Sequence, residues 1–145
     1  MANELVSAAW SLSCQQLQSH AQLMGHRASP TFAQLMANVA ARFCSQTAPS
    51  TQAELSFRQL QAICLSSMIG SIAHADSMVR NAPDAEQELH ELSRHLSERP
   101  LPITREDCAI LTKDLIAFAA KVDEICHTHS MHRIDDIARL RKPLT

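Results

Sequence analysis

The side chains best suited to chemistry crowd into one stretch near the C-terminus, Cys126-His127-Thr128-His129-Ser130-Met131-His132, followed by Asp135 and Asp136. On a continuous helix Cys126, His129, His132 and Asp136 fall along one broad face, and thiolate, imidazole and carboxylate are ligand types that zinc takes. The chain offers no second half-site with CxxC or HxxxH spacing. The apolar pattern also changes phase here. Ile134 stands nine residues beyond Ile125 and so faces the opposite side of a helix. That shift predicts a break or bend over 127–130, which would put the four ligands out of register. A polar helix junction is the preferred reading, and zinc binding or sensing by Cys126, His129, His132 and Asp136 the alternative.

The other chemical motifs fail on spacing. Glu124 and His127 make a single Glu-x-x-His, whereas a di-iron bundle needs two such motifs and two further glutamates. His90 and His95 bracket a glutamate as in a zincin, but they lie five apart, about 140° around a helix, and cannot share a metal. Glu86/His90 and Glu91/His95 read instead as i,i+4 surface pairs. His74, beside Asp76, reads as a satisfied core histidine. Cys14, Cys44, Cys64, Cys108 and Cys126 lack the neighbouring bases that would lower a thiol pKa, and behave as small buried residues of a reducing, cytoplasmic protein. There is no Gly-rich phosphate loop and no Gly-x-Ser-x-Gly. The expectation is a protein with no cofactor that is not an enzyme.

The elements that must carry these residues are helices. The chain has 145 residues, two glycines, no tyrosine and five aromatics, with 46% hydrophobic and 19% charged residues. Such a composition suits helices and gives a sheet little to pair with. Its length is that of one domain, 1–145. The opening Met1-Ala2-Asn3-Glu4 lacks the basic start of a secretory leader. Asn3 is placed to cap helix 1, whose stripe is Val6, Trp10, Cys14, Leu17, Ala21 and Met24, with Gly25 as its C′ residue. Ser29 and Pro30 open helix 2, striped by Phe32, Leu35, Met36, Val39 and Phe43. Capping boxes at Thr51/Glu54 and Asp84/Gln87, and a looser one at Thr104/Asp107, open helices 3, 4 and 5. Helix 4 buries Ala85, Leu89, Leu92 and Leu96; helix 5 carries the seam Cys108, Leu111, Leu115, Phe118, Val122 and Ile125. The expected fold is all-α: an antiparallel helical bundle of five main helices plus a short C-terminal helix ending near Lys142.

Charge is spread unevenly. Residues 1–83 hold three acids and four bases, the remaining 62 twelve acids and nine bases, and 59–75 carry no formal charge. This run is too short and too rich in Ser, Gln and His to predict a membrane span. It predicts a central helix whose small-xxx-small pairs, Ser66/Gly70 and Ser67/Ser71, let another helix approach. The candidate interaction face is therefore Ser66, Ser67, Gly70, Ser71 and His74. Depleted charge is typical of interface cores. The expected function is that of a non-catalytic interaction or regulatory protein (an adaptor, chaperone, anti-activator or inhibitor) with a protein partner or a second copy, as a homodimer. A DNA-binding regulator is the second alternative, through a helix-turn-helix in 29–65. Its recognition helix would carry only Arg58, and a net charge of −2 gives nucleic acid little to bind. A basic patch of Arg133, Arg139, Arg141 and Lys142 is interrupted by Asp135 and Asp136 and suits the end of a helix dipole.

Overall fold

The computed structural model describes residues 2–140, apart from the side chains of Ala2, His132, Arg133, Asp135, Asp136 and Leu140. Five α-helices follow in order: α1 (Ala2–Gly25), α2 (Pro30–Cys44), α3 (Gln52–Val79), α4 (Glu86–Ser97) and α5 (Arg105–Leu140). The fold is the all-α bundle expected. Caps set most of the boundaries. Thr51 Oγ1 accepts from Glu54 N at 3.1 Å, and the Glu54 carboxylate reaches back to Ser50 N at 2.7 Å. Thr104 Oγ1 accepts from Asp107 N at 3.0 Å, with Asp107 returning to Ile103 N at 3.1 Å. Asp84/Gln87 does not behave this way: a 3-10 turn, Pro83–Ala85, runs through it, and α4 starts at Glu86 with no side-chain cap.

Gly25 differs from its expected role. It is the last residue of α1 and has no positive φ. A β-carbon there would come within 3.2 Å of Ala33 Cβ, so this glycine serves the close crossing of α1 and α2.

Contacts between residues far apart in the sequence fix the helix directions. Arg58 lies over the Trp10 ring toward one end and Arg80 donates to Arg27 O at the other, so α1 and α3 are parallel. Gln61 bonds Pro102 O at one end and His74 meets Asp123 further up, so α5 is parallel to α3 as well. Ser29 N donates to Asp76 while Gln46 bonds Gln61, which makes α2 antiparallel to α3. Phe32 meets His90, and Arg42 bonds Ser97 O, so α4 follows α2. The bundle thus has two layers: α1, α3 and α5 side by side in one direction, α2 and α4 behind them in the other. The core lies between, around Phe32, Met36, Phe43, Leu65, Ile69, Ile72, Leu89 and Val122. Two buried polar side chains of α3 are satisfied inside it. Gln61 bridges Gln46 and Pro102 O, and Asp76 accepts from Ser29 N at 2.9 Å, closing the α1–α2 turn onto α3.

The expected break over 127–130 is absent, and the short C-terminal helix is the continuation of α5. No Gly or Pro stands between Pro102 and Pro143, so nothing local stops the helix. The change of phase marks instead where α5 outruns its neighbours. Its seam from Cys108 to Cys126 is buried, while Met131, Ile134 and Ile137 beyond it are exposed. Among the described residues α3 is the one helix long and apolar enough to cross a membrane by length and composition. Here its inner face lies in the core and α1 and α5 cover its flanks.

Candidate interaction surface

Because α3 is the middle helix of its layer, one side of it faces out between α1 and α5. That side is the stripe Ser56, Ile63, Ser67, Gly70, His74 and Ser77. Ile63 is 65% exposed, and Ser67 and His74 are exposed as well. Ser66 and Ser71 are half-buried at the two edges of the stripe, toward α1 and α5. The serines make small demands on solvent: Ser67 Oγ donates to Ile63 O at 3.2 Å and Ser71 Oγ to Ser67 O at 3.0 Å. Hydroxyls turned back onto their own helix leave mainly carbon facing outward. Among the described residues no other helix approaches Gly70; a β-carbon there would meet open space. Gly70 therefore does not mediate packing inside the bundle.

The flanking helices extend the same surface. In α1, Leu5, Leu12 and Leu23 are exposed on the side opposite the α2 contact, interleaved with Gln16 and Ser19. Between α1 and α3 runs a groove of about 300 Å³, lined by Ser13, Gln16, His20, Gln59, Ile63 and Ser66 among others, with no carboxylate, lysine or arginine in its lining. His20 Nε2 is buried in it and has no hydrogen-bond partner among the described residues. In α5, Ile116 is 69% exposed and lies two turns before Asp123 on one side of the helix. Asp123 meets His74 Nε2 at 3.3 Å, which places Ile116 on the outward face too. Sequence periodicity did not single out Leu5, Leu12, Leu23, Ile63 and Ile116. The available signal was the seven-residue step from Leu5 to Leu12 and from Gln16 to Leu23, off the Trp10 stripe.

His74 is a correction. It is an exposed residue of the open stripe, paired with Asp123, and not a core histidine. Its neighbour Asp76 takes the buried role. Glu91 and His95 do stand 3.8 Å apart, but His90 leaves Glu86 and packs edge-on against Phe32 at 5.5 Å.

The groups singled out for chemistry are engaged elsewhere. Cys126 is buried against the bundle, and burial, with Asp123 nearby, pushes its thiol pKa up. His129 is half-buried and holds Glu88 at 3.2 Å across the α4–α5 gap. The side chains of His132 and Asp136 lie outside the described residues, as do Arg141 and Lys142 entirely. Among the described residues no three ligand side chains are grouped to hold a metal ion. Burial, followed by the neighbouring Cys14 thiol, raises Cys44 to about 12; burial, followed by Cys64, raises Cys108 to about 11. Thiols so placed are protonated at neutral pH and make poor nucleophiles. Arg58, the base of the helix-turn-helix alternative, lies 5.2 Å over the Trp10 ring with Nη1 buried, so it is not presented to a phosphate backbone.

No protein-family model matches the sequence, no curated protein matches it, and no solved structure matches the fold.

Proposed function

We propose that this chain is a non-catalytic interaction protein, of adaptor, chaperone, anti-activator or inhibitor type, that works through the outward face of the α1–α3–α5 layer. The observation that carries the reading is one surface on which Leu5, Leu12, Leu23, Ile63 and Ile116 are all exposed, while the α1 and α3 stripes between them bear no acid or base. A water-facing helix normally interleaves such side chains with charges. Apolar side chains gathered on one face among neutral polar residues suit a binding surface. The free state of all five cysteines suits a reducing compartment, and the cytoplasm is the proposed location.

Native mass spectrometry and gentle co-purification of the wild type, beside Ile63→Asp, test this reading. The wild type is expected to carry a second protein chain, its own copy or another, and the variant to lose it while keeping its helical circular dichroism. A wild type that binds no protein, or binding untouched by Ile63→Asp, overturns the proposal.

A further inference from the structure

The exposed stripe of α3 holds a protrusion and a recess seven residues apart. Ile63 stands out from it, and at Gly70 the surface drops to backbone with no atom of another element above it. Seven residues are about two helical turns, so the two share one side of α3. We propose that the occupant of this face is a second copy of the chain, with the two α3 helices antiparallel and each Ile63 seated over the partner copy's glycine at position 70. The pairing rests on the reading of the outward face as an interaction surface.

Three features select this arrangement. The first is register. The midpoint of Ile63 and Gly70 falls within one residue or so of the midpoint of Gln52–Val79, so the pairing overlaps the two helices along nearly their whole length, 54–79. Ser66 then lies opposite Ser67, Gln59 opposite His74 and Ser56 opposite Ser77. Every facing position is neutral, and a two-fold axis generates each contact twice, as an isologous dimer requires. A parallel in-register pair would set Ile63 on Ile63 and leave a gap at Gly70.

The second is the field of the layer. Because α1, α3 and α5 run the same way, their dipoles add, leaving partial positive charge at one end of the face and partial negative charge at the other. An antiparallel copy brings opposite ends together, whereas a parallel one brings like ends together. The third is area. An overlap of ~39 Å by the ~18 Å between the outer axes of three packed helices gives about 700 Å² per copy, close to the ~800 Å² of a standard interface. With no acid or base on the outward stripes of α1 and α3, and with Asp123 of α5 already paired to His74, the face offers a charged partner little to pair with.

Exchanging the protrusion and the recess tests the pairing, read by sedimentation equilibrium. The wild type should form a dimer with a dissociation constant at or below about 10 µM. Gly70→Ile fills the recess and Ile63→Gly removes the protrusion; each should weaken dimerisation roughly ten-fold or more. The exchange variant carrying both substitutions should recover to within about three-fold of the wild type, since protrusion and recess again face each other. Gly70→Ile is expected to fold, because a β-carbon at this position meets nothing in the single chain, and circular dichroism checks it. A dimer indifferent to Gly70→Ile, or an exchange variant as weak as the single ones, overturns the register. A wild type monomeric at about 100 µM overturns the second copy as occupant. If a different protein then co-purifies and is lost with Ile63→Asp, the interaction reading survives alone.

Discussion

The outward surfaces of α3 and α4 show two ways for a helix to meet its surroundings. On α4 almost every exposed position is ionic or strongly polar, and the charges answer one another. Arg94 holds Glu91 and reaches Glu98 at 3.0 Å, His95 stands 3.8 Å from Glu91, and beside them Arg99 meets Asp114 at 2.8 Å. Its apolar residues face the core: Leu89 and Leu96 are buried and Leu92 is half-buried beside them. Along the outward stripe of α3 stand Ser, Ile, Gly and His, with the Ser67 and Ser71 hydroxyls turned back onto the helix and one imidazole–carboxylate pair at the edge. The first surface is hydrated by its charges. The second gains from being covered, because its carbon-rich surface has few groups whose hydration would be lost. On the proposed reading, the signal for interaction lies in what α3 lacks.

The largest expected effect comes from giving α3 what α4 has. Ile63→Asp places an uncompensated carboxylate at the centre of the neutral face and should weaken association about 100-fold or more, with helical content unchanged. The same charge added at exposed Gln87 of α4 should leave association unaltered. Equal losses from both substitutions, in a concentration series by analytical ultracentrifugation, would remove the distinction between the two surfaces.

The two glycines sharpen it at smaller scale. In the monomeric Ile63→Asp background, Gly70→Ala should stabilise the chain by about 1 kcal/mol, since alanine favours helix and meets nothing. Gly25→Ala gains less from propensity at a helix end, and its β-carbon presses on Ala33 Cβ at 3.2 Å, an atom with no rotamer to yield. A net loss of roughly 1 kcal/mol is expected there. Urea denaturation of the two variants should move the midpoint in opposite directions. A gain at both sites would mean that α1 and α2 separate freely, and that close packing does not explain Gly25.

These contrasts also mark what the residues made legible. Stripes such as Phe32-Leu35-Met36-Val39-Phe43, and caps such as Thr51 with Glu54, are local signals, and the helices follow them. The neutrality of 59–75 was equally plain. What α3 does with it depends on which helices lie beside it, and that is set by Gly25 against Ala33 and Asp76 on Ser29 N, contacts between residues far apart in the chain. For this reason His74 reads as core in isolation and proves exposed, while Asp76, two residues on, is buried. The phase change after Ile125 misled in a related way. Periodicity reports a helix together with its partner, and α5 continues where the partner stops.

The smallest effect belongs to the charged surface. Hydrogen bonding to Arg94, assisted by its charge and opposed by a smaller desolvation cost, holds the Glu91 carboxyl below its ordinary value of 4.5. A carboxyl whose pKa is depressed in the folded chain adds stability that is fully present above the unfolded value and is lost as pH falls through the folded one. Arg94→Ala should therefore cost a little stability at neutral pH, and the gap to wild type should close below the ordinary carboxylate range. Both residues are solvated, so raising salt to about 1 M should erase most of the difference. The neutral face has no such ion network to screen, and Gly70→Ala should keep its full stabilisation at the same salt. A salt titration of thermal midpoints for the two variants thus separates a surface held by charge from one that lacks it. Equal sensitivity in both would mean that the neutrality of α3 has no consequence for how it meets water.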